Sequence, residues 1–143
     1  MRGVECFLDS NVLLYAVSTL PTEAGKAAVA RTILDQKDWA WSAQVAAEFI
    51  NVSTSAKRAD RISLVDAESW INTWSAFPCV SIDLPLIKDA IQLATRYQIG
   101  YFDAQVIAAA RRAGCSVMYS EDLNHGQNYA GVLVTNPFLA ATP

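Results

Sequence analysis

Histidine is nearly absent from this sequence of 143 residues, with His125 the single copy. Cysteine is scarce and scattered: Cys6, Cys79 and Cys115 share no CxxC spacing. Without clustered Cys and His there is no zinc site to read. An odd number of distant cysteines, each beginning or adjoining an apolar run, reads as reduced, buried thiols in a reducing compartment. No P-loop and no GxGxxG occurs. His125 lies in a polar turn without a Ser or Cys partner, so no nucleophilic triad is visible. Basic charge is also short. There are 11 Lys and Arg against 14 Asp and Glu, for a net charge of −3. The pI is near 5.0, which argues against a broad basic face for nucleic acid. Two local clusters remain, Lys57 with Arg58 and Arg61, and Arg111 with Arg112. Solvated helix ends are the plainer reading of each. No apolar stretch approaches a membrane span. The N-terminal apolar run is broken by Asp9 and lacks a small-residue cleavage site. A cytoplasmic protein with no membrane contact is expected.

What is there is an ordered globular composition, 52% hydrophobic with six Gly and five Pro. The length suits a single domain over residues 1–143. Val4–Leu8 reads as a short central strand, followed by a helical segment over Val12–Val17. Thr22 can cap a helix running to about Gln36. Trp39–Trp41 reads as a strand, and Ser42 caps a helix through about Ala56. Ser63 and Asp66 match a capping box that opens a helix carrying Trp70 and Trp74. Cys79–Ile82 reads as a third strand. Asp83 and Pro85 start a helix that Gly100 can end. Phe102–Ala113 is a further helix closed by Gly114. Cys115–Tyr119 and Gly131–Val134 complete the strands, and Asn136–Pro143 is an irregular tail. Strands alternating with helices predict an α/β three-layer sandwich with a mainly parallel five-stranded central sheet.

Acids fall at telling places on this sketch. Asp9 follows the first strand and leads straight into an apolar helix, where a carboxylate is hard to expose. Asp122 follows the fourth strand, in the turn YSEDLNHG. In open α/β sheets, sites form outside the carboxyl ends of the strands. Asp103 lies in the first turn of its helix, and Glu48 borders an apolar stripe between Val45 and Val52. Alone, Asp103 reads as a helix cap and Asp122 as an Asx turn. Together, four carboxylates raise each other's pKa unless a cation compensates. Oxygen donors suit a hard cation, Mg²⁺ or Mn²⁺. Asp9-Ser10-Asn11 lacks the Gly and terminal Glu of an EF-hand loop. Such a site suggests phosphate chemistry.

Four segments carry a further signal: FLDSNVLLYA, AAEFINV, YFDAQVIAAA, and YSEDLNHGQ followed by VLVTNPF. In these the chain resembles the PIN-domain family, most closely the VapC-type toxins of bacterial toxin–antitoxin pairs. The resemblance implies a Mg²⁺- or Mn²⁺-dependent endoribonuclease that hydrolyses RNA phosphodiester bonds. It makes Asp9, Glu48, Asp103 and Asp122 the metal-binding acidic quartet. Asn11 takes the place of the polar residue that orients the first Asp, and Ser120 that of the family's Ser or Thr. Glu121 is a supporting residue. Phe102 stands where such toxins often carry Trp. Lys57, Arg58 and Arg61 are candidate RNA contacts. The implied partners are RNA, a small antitoxin contacting helices around residues 24 to 56, and a second copy in a homodimer. Two alternatives stand beside this reading. One is a PIN-fold binding module without catalysis. The other is a metal-dependent phosphatase with Asp9 as nucleophile, which would want a second Asp where Asn11 stands.

Overall fold

A computed structural model describes residues 4–140. Its sheet has the strand order β3-β2-β1-β4-β6-β5. β1 (Cys6–Leu8) pairs in parallel with β2 (Trp39–Ser42) on one side and β4 (Val117–Tyr119) on the other. β2 carries β3 (Cys79–Val80), and β4 carries β6 (Val132–Thr135), both in parallel. The sixth strand, β5 (Asn128–Tyr129), is antiparallel to β6 and was not expected. Its hairpin turn places Ala130 and Gly131 at φ 51° and 100°. Such a turn favours Asn-Gly. Ala130 takes it with its N–H donating to the Tyr97 hydroxyl at 2.7 Å.

The helices are α1 (Ser10–Val17), α2 (Ala24–Asp35), α3 (Ala43–Ser53), α4 (Leu64–Trp74), α5 (Leu84–Tyr97) and α6 (Tyr101–Arg112). α1 packs on α2 and α3, α3 on α4, and α5 on α6. Right-handed crossovers carry the chain outward from β1 to β3 and then back to β4. That reversal puts α1 to α4 over one face of the sheet and α5 with α6 over the other. The core between them holds Phe7, Leu8, Trp39, Trp41, Phe49, Ile107 and Met118, all essentially without solvent contact.

Several boundaries differ from expectation for local reasons. Thr22 does not cap α2. Pro21–Glu23 forms a 3₁₀ turn instead, and the Glu23 carboxylate is held by the Ser18 hydroxyl and Arg58. α3 ends at Ser53 because the Thr54 hydroxyl donates back to the Ile50 carbonyl at 2.7 Å. Gly100 does not end α5. Gln98, left-handed at φ 54°, closes that helix, and Gly100 is the N-cap of α6. Cys6 and Cys115 are buried free thiols as expected, but Cys79 is exposed, because β3 is a two-residue edge strand. Ser63 caps α4 as expected, its hydroxyl accepting from the Asp66 N–H at 3.0 Å. Of the expected irregular tail, residues 141–143 lie outside the described residues.

Candidate active site

The sheet order reverses at β1 and β4, whose neighbouring connections leave in opposite directions. A crevice opens beyond their carboxyl ends at such a point. Asp9 and Ser120 are the first residues past those ends, and the Asp9 N–H still donates to the Tyr119 carbonyl at 3.1 Å. Asp9 is also the N-cap of α1, which explains a carboxylate between two apolar runs. Its Oδ1 accepts from the Ser10 N–H at 2.8 Å, and its Oδ2 from the Ser120 hydroxyl at 2.8 Å. Only 7% of Asp9 is exposed. Burial pushes its carboxyl up to about 6, against the pull of the two hydrogen bonds; the charges of Glu48 and Asp122 push the same way.

Asn11 projects from the first turn of α1 to the turn after β4. Its Nδ2 donates to Asp122 Oδ2 at 3.2 Å and lies 3.5 Å from the Ser120 hydroxyl. Its Oδ1 accepts from the Glu121 N–H at 3.3 Å. Ser120 receives the Asp122 N–H at 3.2 Å. Asp103 stands in the first turn of α6, not as its cap, and is exposed. Partial burial raises its pKa, and the nearby charges of Asp122 and Glu48 raise it further. Glu48, half-buried on α3, accepts from the Ser10 hydroxyl at 3.0 Å and from Gln44 Nε2 at 3.0 Å. Asp9, Glu48, Asp103 and Asp122 therefore share one electrostatic neighbourhood. Among the described residues, no Lys or Arg forms an ion pair with any of them.

The other candidates fall elsewhere. The Glu121 carboxylate turns away from these acids to the Tyr15 hydroxyl at 2.6 Å and Lys26 Nζ at 2.7 Å. Only its backbone serves the site. Arg58 is drawn into ion pairs with Glu23 at 3.1 Å and Asp60 at 2.9 Å, while Lys57 and Arg61 are exposed. Sequence reasoning missed Ser10, Gln44 and Gln105. Gln44 lies four residues before Glu48, a spacing that places two side chains on one helix face and could have flagged it. Phe102, 67% exposed, stands beside Asp103. A cavity of about 310 Å³ lies away from the acids, walled by Trp39, Trp70, Trp74 and Phe77.

An oxygen-only donor set of this kind fits a hard divalent cation. Among the described residues no three of the acids converge into a ready-made metal cage. A cation that keeps several of its waters, as Mg²⁺ does, suits so open a set.

The family model of the PIN domain matches residues 6–130. The chain belongs to the PIN-domain family. Solved structures with the same fold include a toxin–antitoxin complex from Klebsiella pneumoniae, 18% identical with a TM-score of 0.64. The alignment covers 93% of this chain and 98% of that one. FitAcB from Neisseria gonorrhoeae is 19% identical, TM-score 0.66, over 94% of this chain and 99% of that one. The sarcin–ricin loop-cleaving toxin VapC20 of Mycobacterium tuberculosis is 17% identical, TM-score 0.65, over 82% of this chain and 90% of that one. No curated protein matches the sequence significantly.

Proposed function

We propose that this PIN domain is a Mg²⁺- or Mn²⁺-dependent endoribonuclease and the toxin of a toxin–antitoxin pair. The observation behind this reading is a group of four carboxylates at the switch point of the sheet, with Glu48 and Asp122 acting on both Asp9 and Asp103 and no ion-pair partner for any of them among the described residues. Asp9, Asp103 and Asp122 would hold the cation, with Glu48 completing the set. The cation, when bound, offsets the negative charge of a phosphodiester and of its leaving oxygen. Glu48, with both oxygens oriented by neutral donors, takes the proton of the attacking water. Ser120 and Ser10 fix the Asp9 carboxylate, and Asn11 fixes Asp122. Exposed Phe102 offers a stacking face for an unpaired base, and Lys57 and Arg61 offer phosphate contacts. A small antitoxin is the proposed partner, since structures of the same fold are described as toxin–antitoxin complexes. A homodimer and a cytoplasmic setting complete the proposal; no helix among the described residues is long and apolar enough to cross a membrane.

The open spacing of the acids favours a second reading, a PIN-fold binding module without catalysis. One experiment separates the two. A pool of transfer and ribosomal RNA is incubated with the purified chain and Mn²⁺, beside EDTA and Asp9→Asn controls. Cleavage that needs both Mn²⁺ and Asp9 is expected. Absent cleavage together with absent Mn²⁺ binding by calorimetry would favour the binding module.

A further inference from the structure

Gln44 makes more hydrogen bonds than any surface role on α3 requires. It is 91% shielded from solvent, with only 9% exposed. Its Nε2 donates to Glu48 Oε1 at 3.0 Å and to the Phe102 carbonyl at 3.1 Å. Its Oε1 accepts from Gln105 Nε2 at 2.9 Å, and Gln105 Oε1 in turn accepts from the Tyr101 hydroxyl at 2.7 Å. Both donors and the acceptor of one amide are thus engaged. The chain of contacts runs from Glu48 on α3 to Tyr101, Phe102 and Gln105 in the first turns of α6, the turns that carry Asp103. α3 and α6 both pack on β2 from opposite faces of the sheet, and these amide contacts join the two helices directly beyond its edge.

We infer that Gln44 is a positioning residue: it sets the rotamer of Glu48 and the separation between Glu48 and the Asp103 turn. This rests on the reading of Glu48 and Asp103 as parts of one cation site. A neutral amide suits the task. It orients a carboxylate without discharging it, whereas Lys or Arg at this position would compete with the cation for the same oxygens. The Gln44–Gln105 contact at the centre of the network is buried, which makes its partial loss costly: a donor or acceptor left alone there bears its whole desolvation cost. Partners that support metal ligands from behind typically contribute about ten- to a hundredfold in metal affinity.

The test is Mn²⁺ titration calorimetry on five proteins: wild type, Gln44→Met, Gln44→Met with Gln105→Met, Glu48→Gln, and Gln44→Met with Glu48→Gln. Thermal melts accompany each. Gln44→Met alone should weaken Mn²⁺ about tenfold. Adding Gln105→Met removes the stranded amide, so the melting temperature recovers while the affinity loss persists. In the Glu48→Gln background, Gln44→Met should cost less than it does in wild type, because the part carried through the Glu48 contact is already gone. Wild-type affinity in the Gln44–Gln105 double variant would reduce Gln44 to a packing role and overturn the inference. An equal loss with and without Glu48 would do the same. If wild type binds no Mn²⁺, the nuclease reading falls, and Gln44 is judged separately by its side-chain amide resonances. Glu48→Gln then shifts that NH₂ pair if the contact holds, and an unmoved pair overturns it.

Discussion

Two glutamates near the crevice meet opposite treatment. Glu121, in the turn after β4, adjoins Asp122 in the chain, yet its carboxylate is matched by Lys26 at 2.7 Å and the Tyr15 hydroxyl at 2.6 Å. Glu48 comes from a separate helix and is held only by neutral donors, Ser10 and Gln44. The first carboxylate is matched by a cation where it stands; the second is oriented by neutral groups alone. Sequence neighbourhood is therefore a poor guide to availability. What marks a working carboxylate is an environment that aims it without cancelling it. Asp9 fits that description, its oxygens held by the Ser10 N–H and the Ser120 hydroxyl and its pKa raised chiefly by burial.

The strongest expected effect is at Asp9. Asp9→Asn should take RNA cleavage below detection, since it removes the most buried ligand candidate. It should also stabilise the metal-free fold near neutral pH. The buried carboxyl titrates near 6 against an ordinary 3.8, so the folded chain holds this proton more tightly than the unfolded chain. The Asp9 contribution to stability is complete below the ordinary value and is lost as pH rises through 6. Melting curves in EDTA at pH 7.5 should place the variant above wild type; a lower melting temperature would contradict the burial argument.

The glutamate contrast itself comes next. Glu48→Gln should cut cleavage about a hundredfold, within the usual range for a proton acceptor. Glu121→Gln should change it less than about threefold, its half-exposed ion pair being worth under ~1 kcal/mol. Equal losses in the two would dissolve the distinction. Ser120→Ala sharpens it from the Asp9 side. The hydroxyl serves both Asp9 Oδ2 and the Asp122 N–H, so its removal should cost about 1–3 kcal/mol in urea melts. It should also raise the pH at which Mn²⁺ begins to bind, because a contact favouring the ionised form of Asp9 is gone. The last effect needs a change of pH alone. Mn²⁺ competes with the Asp9 proton, so wild-type affinity should weaken by up to about tenfold per pH unit below 6. Calorimetry at pH 5 and pH 7.5 reads this directly, and a flat profile would place the cation away from Asp9.

Much of the α/β frame was legible because hydrophobic periodicity and capping are local. The Ser63 cap, the Asp83 cap and the Gly114 stop are each written within a few residues. Asp9 announced itself through misfit, a carboxylate where only core was expected. The amide contacts were illegible for the converse reason. Gln44 and Gln105 are polar residues on amphipathic helices, a pattern indistinguishable from solvent exposure. They meet across 61 positions of sequence. β5 escaped because two residues and an Ala in the left-handed region give no strand or turn signal. The basic cluster looked like one surface, but Arg58 is occupied by Glu23, far off in sequence.

The central seam of the sheet, where β1 lies beside β4, also governs timing. Ser120 and Asp122, which complete the surroundings of Asp9, leave the ribosome more than a hundred residues after it. Until then the first strand waits with one edge open, and parallel pairing over so long a separation is slow to form. A growing polypeptide of this sequence holds half a crevice and none of its chemistry. The four carboxylates come together only once the turn after β4 has docked beside β1.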